Sequence, residues 1–123
     1  MILDTCLFID LERRKPEAVS FLADNSSERL CLTVITAGKL ACGYEADRLP
    51  QLWQRLRHFQ IIDVTPEAAN AYSRIYRKLR TAGKLIGTND LWIAAIAMAN
   101  RLPVVTKNID EFSRVPGLRI IGY

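Results

Sequence analysis

Short apolar runs of strand length alternate along this chain with longer stretches whose apolar residues recur every three or four positions. That alternation predicts an α/β fold with a mainly parallel central sheet flanked by helices, since each parallel crossover needs a helix-sized connection. Met1 to Leu3 reads as the first strand, and Asp4 and Thr5 lead into a segment with Leu7, Phe8 and Leu11 facing inward. Glu12 to Lys15 forms a charged turn. Pro16 can open the next helix, because the first helical N–H has no intrahelical partner to lose. That helix runs towards Ala23, and Asp24 to Ser27 is a polar break before a strand at Leu30 to Val34.

Thr36 is the expected hydroxyl cap of a helix carrying Leu40 and Tyr44, weakened by Gly38 and Gly43 at about 1 kcal/mol each. Leu49, Leu52, Trp53 and Leu56 make one stripe of a helix from Leu49 to Phe59, and Ile61 to Val64 is a third strand. Thr65-Pro66 then starts a helix with Ala68, Tyr72, Ile75, Tyr76 and Leu79 as its buried face, ended by Gly83. A further helix begins near Asp90, capped by Thr88 or Asn89, and Leu91 to Met98 is so apolar that it belongs at the centre. Val104 to Thr106 and Leu118 to Ile121 supply two last strands, with Asn108 to Glu111 a turn and Pro116-Gly117 another.

With 123 residues and 50% hydrophobic composition, residues 1–123 are expected to form a single domain whose core needs no disulfide support. No apolar run reaches the roughly 18 residues of a membrane span, and Asp4 interrupts the start of the chain, so the sequence reads as cytoplasmic with no membrane partner. Cys6, Cys31 and Cys42 have no metal-site spacing and are expected to be reduced core residues. A net charge of +4 favours an anionic partner such as nucleic acid. Arg74, Arg77 and Lys78, on the outer side of the Pro66 helix, are candidates for guiding a nucleic-acid backbone by non-specific charge attraction; a solvated helix face is the plainer reading. His58 has no evident partner and is expected at the surface.

The candidate chemistry lies in where the acids fall. Ligands of open parallel sheets bind outside the carboxyl ends of the strands. Asp4 directly follows the first strand, Asn108 and Asp110 follow the strand ending at Thr106, and Asp90 opens a helix that can face the same crevice. Clustered carboxylates repel one another unless a cation or protons compensate, and Mg2+ or Mn2+ is the natural counter-ion for oxygen ligands. Taken singly, Asp4 could be only a helix cap, Asp90 only a first-turn acid, and Asn108 and Asp110 only turn residues.

Four blocks together resemble a known family: Ile2-Leu3-Asp4-Thr5; the frame from Ile35-Thr36 to Gly43; Ile86-Gly87 with Asn89-Asp90-Leu91-Trp92-Ile93-Ala94-Ala95; and Val105-Thr106 with Asn108 and Phe112, followed by Arg114-Val115-Pro116-Gly117-Leu118. They are similar to PIN-domain ribonucleases of the VapC toxin type, and the likeness spans nearly the whole chain. The resemblance implies a PIN-like three-layer fold and a metal-dependent endoribonuclease, the toxin of a type II toxin-antitoxin pair. It also implies a VapB-type antitoxin lying across early-helix residues such as Phe8, Leu11, Leu52 and Trp53, an RNA substrate with tRNA among the candidates, and a toxin homodimer. Asp4 and Asp90 would hold Mg2+ or Mn2+, Asn108 would be the closest match in the fourth block with Asp110 and Glu111 as nearby acids, and Thr5 and Thr106 would support the site.

One departure stands out: Lys39 occupies the position where the family's frame places a glutamate. An ammonium about 5 Å from a divalent cation, at an effective dielectric of about 20, opposes it by roughly 6 to 7 kcal/mol before the side chain swings away. Three outcomes follow. Lys39 pairs with Asp4 and Asp90 and silences the site, or it is an acquired inactivation, or another acid replaces the missing ligand. Glu45 is a poor substitute, lying six positions on and so on another helix face. The competing reading of function is a degenerate PIN domain that binds antitoxin or RNA without cleaving.

Overall fold

The computed structural model describes residues 1–123. Five strands, β1 (Ile2–Leu3), β2 (Cys31–Thr33), β3 (Gln60–Ile62), β4 (Val104–Val105) and β5 (Ile120–Ile121), form one sheet in the order β3-β2-β1-β4-β5. Every neighbouring pair is parallel. The chain winds outward from β1 through β2 to β3, then crosses back to place β4 on the other side of β1. The direction of winding therefore reverses between β1 and β4, and a crevice opens beyond their carboxyl ends.

Successive strand residues point to opposite faces, and this alternation makes three layers from very short strands. Ile2, Cys31, Ile62 and Val104 face α5 (Pro66–Thr81) and α6 (Thr88–Asn100). Leu3, Leu32 and Val105 face α1 (Thr5–Glu12), α2 (Pro16–Asp24), α3 (Val34–Ala41) and α4 (Leu49–Leu56). A 3-10 turn at Ala46–Arg48 precedes α4, and α7 (Ile109–Phe112) follows β4. Burial of each large aliphatic side chain contributes roughly 1.5 to 3 kcal/mol, so Leu3, Leu32 and Val105, all fully buried, fix how the helical layer on their side sits on the sheet. No helix is long and apolar enough to cross a membrane.

Several local expectations are corrected. Thr33, not Thr36, caps α3: β2 stops earlier than its apolar pattern, and the Thr33 hydroxyl accepts from the Thr36 backbone N–H at 3.1 Å. On α5 the inward face is Ala68, Ala71, Ile75 and Leu79. The small Ala71 lets α6 pack closely, which pushes Tyr72 to the side, where it lies against Trp92 at 4.1 Å between ring centroids, and leaves Tyr76 exposed. Trp53 is likewise outside the core, which takes Leu52 and Leu56 from α4. Gly87, rather than Thr88 or Asn89, holds the cap position of α6. The turn expected at Asn108 to Glu111 is instead the start of the one-turn helix α7, drawn in by the fully buried Phe112. Of the cysteines only Cys31 is buried; Cys42 is exposed, and Cys6 borders the crevice.

Candidate active site

Asp4 is where β1 becomes α1, and its backbone is still extended, which makes it the helix cap. Its carboxylate is 5% exposed and held by three donors. Oδ1 accepts from the Thr5 backbone N–H at 2.7 Å; Oδ2 accepts from the Thr106 hydroxyl at 2.7 Å and from Cys6 Sγ at 3.3 Å. Capping and site-building are thus performed by the same side chain. Thr106 follows β4 directly, so the pairing of β1 with β4 is what brings residues 4 and 106 together.

Asp90 lies in the first turn of α6, aimed at the same crevice. The cavity measures about 410 Å3, and its lining includes Asp4, Thr5, Cys6, Lys39, Asp90 and Asn108. Burial, reinforced by the Asp4 and Glu111 charges, pushes the Asp90 carboxyl up to about 6, against a smaller downward pull from Lys39. Glu111 moves the other way. The Gly87 backbone N–H, at 2.9 Å, and the Asn108 amide hydrogen-bond its carboxylate and hold it below the usual range. Asn108 also reaches Asp90 at 3.5 Å. Asp90 and Glu111 therefore share one hydrogen-bonded corner, in which Asp90 is the member that more readily keeps a proton.

The structure brings Asp4, Thr5, Lys39, Asp90, Thr106 and Asn108 to one place. Asp110 is exposed on the outer side of α7 and does not line the cavity; one position on, Glu111 turns inward and bonds to Gly87 and Asn108. The sequence signal for that choice is Phe112: once it anchors α7 in the core, a residue three positions after Asn108 returns to the Asn108 side. Lys39 enters the crevice from α3 but makes no ion pair there; the three ion pairs are Arg55–Glu12, Lys107–Asp10 and Lys107–Glu17. Its influence on Asp90 is through space, which corrects the expected direct pairing with Asp4 and Asp90. Arg74 and Lys78 line a hollow with Met98, Ala99 and Pro116, and Arg77 lines another, so these cations do not lead into the crevice.

A divalent cation fits this donor set through few protein ligands. No three acids, histidines or cysteines converge as a ready cluster, but Mg2+ commonly uses one or two carboxylates and keeps several waters, and Asp4 and Asp90 supply two. The Thr5 hydroxyl is buried beside them without a protein partner; a water of such a shell would satisfy it.

A PIN domain model matches residues 1–118. A ribonuclease VapC2 of Haemophilus influenzae is 32% identical over 123 residues, covering 96% of this chain and 93% of the relative. The chain belongs to the VapC-type PIN domains. A tRNA(fMet)-specific endonuclease VapC of Salmonella typhimurium is 31% identical to this PIN domain, over 95% of this chain and 91% of the relative. The crystal structure of DNA-bound VapBC from Salmonella typhimurium superposes with a TM-score of 0.81 at 30% identity, covering 98% of this chain and 96% of that one.

Two further features of this PIN domain were not singled out in its sequence. Lys107, next to Thr106, donates to Asp10 on α1 and Glu17 on α2 at 2.7 Å each and sits 5.1 Å from the Tyr123 ring centroid. Both carboxyls are lowered by that contact and Lys107 is raised. Glu12, bound by Arg55 at 3.1 Å, borders the crevice and also a neighbouring apolar groove of about 350 Å3 that includes Phe8, Leu11, Leu40, Leu52 and Phe59.

Proposed function

We propose that this chain is the toxin of a VapBC-type toxin-antitoxin pair, with a crevice built to hydrolyse RNA phosphodiester bonds and restrained by Lys39. The observation that carries this reading is the meeting of Asp4 and Asp90, backed by Glu111, around one cavity into which Lys39 also projects. Mg2+ or Mn2+ held by Asp4 and Asp90 would supply an activated water and neutralise charge on the phosphate. The protein's own groups have separable tasks. Thr106, Cys6 and the Thr5 N–H orient Asp4, and Asn108 together with the Gly87 N–H fixes Glu111 beside Asp90. Burial and the Asp4 and Glu111 charges raise the Asp90 carboxyl, so a cation held there would bind in competition with a proton.

Lys39 works against this arrangement. Its ammonium neutralises part of the acidic charge that attracts a cation, and it replaces what would be another acid. The apolar groove beside the crevice, lined by Phe8, Leu11 and Leu52, supports docking of the antitoxin on that face; exposed Trp53 lies outside that lining. Titrating Mn2+ calorimetrically into the unaltered chain and into Lys39→Glu should give at least tenfold tighter binding by the glutamate form. Labelled tRNA with Mg2+ should then be cut far faster by that form. Equal, tight Mn2+ binding by both would remove the restraint from the account. The second reading, a PIN domain that binds without cutting, is favoured by the same Lys39. It predicts that Lys39→Glu restores metal affinity without cleavage.

A further inference from the structure

The crevice is a poor place for RNA to gain affinity. Asp4 and Asp90 line it against the single charge of Lys39, with Glu12 paired to Arg55, so phosphates meet net negative charge there. Sequence-independent binding of a polyanion comes from lysines and arginines that displace condensed counterions. Such cations are gathered elsewhere on the molecule. Arg77 and Lys78 line one surface hollow, Arg74 and Lys78 a second, and Arg101 and Arg119 a third. The first two adjoin through Lys78 and the last two through Met98.

No acid lines any of the three hollows, and none of these five cations belongs to an ion pair. The arrangement has a direction. Asp90 opens α6 and Arg101 follows its last residue, so the Arg101 end of the basic strip stands about 16 Å along α6 from the catalytic corner, at 1.5 Å per residue. The apolar floor of Met98, Ala99 and Pro116 leaves the charges no competing carboxylate.

We infer that Arg74, Arg77, Lys78, Arg101 and Arg119 form a track for the phosphodiester backbone of a folded RNA, outside the segment that enters the crevice. The track rests on the RNA-cleaving reading and adds to it where substrate affinity originates. Remote contacts of this kind hold the substrate against the repulsion of the acidic site. Each engaged cation contributes a slope of about −0.7 to −0.9 in log affinity against log salt.

The test is fluorescence anisotropy of labelled, unfractionated tRNA in EDTA, so that neither metal nor cleavage intervenes, from low to moderate KCl. Three forms are compared: the unaltered chain; a track variant carrying Arg74→Gln, Arg77→Gln, Lys78→Gln and Arg101→Gln; and a charge-matched control carrying Arg13→Gln, Lys15→Gln, Arg48→Gln and Arg57→Gln. The track variant should lose about thirtyfold or more in affinity and about 3 in salt slope, and the control should lose less than a third as much on the logarithmic scale. Lys78→Glu alone, at an exposed position, should weaken binding several-fold with an unchanged melting temperature. Equal losses in track variant and control would overturn the inference by reducing it to net charge. A larger loss with duplex DNA of matched length than with tRNA would overturn the assignment to RNA. Absence of tRNA binding by the unaltered chain at any salt would instead sink the RNA-cleaving reading itself.

Discussion

Half-buried Asp90, with its carboxyl raised to about 6 from an ordinary value near 3.8, makes folding depend on pH in a definite direction. Well below pH 3.8 the group is protonated in folded and unfolded chains alike; as pH rises through 3.8 towards about 6 the unfolded chain loses its proton first, so stability falls. About two pK units correspond to about 3 kcal/mol, and solvent screening at this half-exposed site cuts that to roughly 1 to 2. Denaturant melts of the unaltered chain and Asp90→Asn in EDTA should show the variant gaining that much more at pH 7 than at pH 4; an equal gain at both would mean that Asp90 is unperturbed. Thr106→Val removes a 2.7 Å donor from the buried Asp4 carboxylate, and such a loss costs about 1 to 3 kcal/mol in the same melts. Asp4, Asp90 and Asn108 were legible because each follows a strand or opens a helix. Glu111 was less so: its selection over Asp110 depends on which way α7 turns, and that is settled by burial of Phe112 rather than by any local pattern.

Among the elements, long periodic helices were easier to read than their boundaries. Thr65-Pro66 announced α5 and the continuous apolar run announced α6, but β2 gave up its last expected residue to α3 because the Thr33 hydroxyl captures the Thr36 N–H. Tyr76 was misplaced by an apolar rule that ignores size, since the closest contact with α6 selects alanine and leaves Tyr72 at the core's edge against Trp92. Two glycines separate helix propensity from backbone conformation. Gly38 is inside α3 with nothing within 4 Å of an added Cβ, so Gly38→Ala should stabilise by roughly 0.5 to 1 kcal/mol. Gly83, equally unobstructed, has φ +66 just beyond α5, and Gly83→Ala should destabilise by about 1 kcal/mol or more. Thermal melts showing the same sign for both would contradict this account.

Across the whole molecule, Lys107 ties the end of β4 to α1, α2 and Tyr123. Burial pushes the Tyr123 hydroxyl up, so it remains a donor to Asp10, at 2.9 Å. Because Thr106 and Asn108 flank Lys107, loosening this anchor should disturb the site from outside it. Lys107→Met should speed amide hydrogen exchange from Asn108 to Phe112 several-fold while exchange in α5 stays unchanged, whereas Lys107→Arg should restore most of the protection. Uniform acceleration across both segments would indicate general destabilisation instead. The alternation of short apolar runs and helices conveyed the parallel sheet, but not which chain ends would meet at the crevice, since that requires β4 to return beside β1. Asp4 and Thr106 are bonded across 102 positions of sequence. A ribosome that has released only the first helices has therefore exposed Asp4 without Asp90 or Thr106, and no crevice. Whatever cutting power this fold commands arrives only when the final strands dock, so the machinery translating it works beside an unassembled blade.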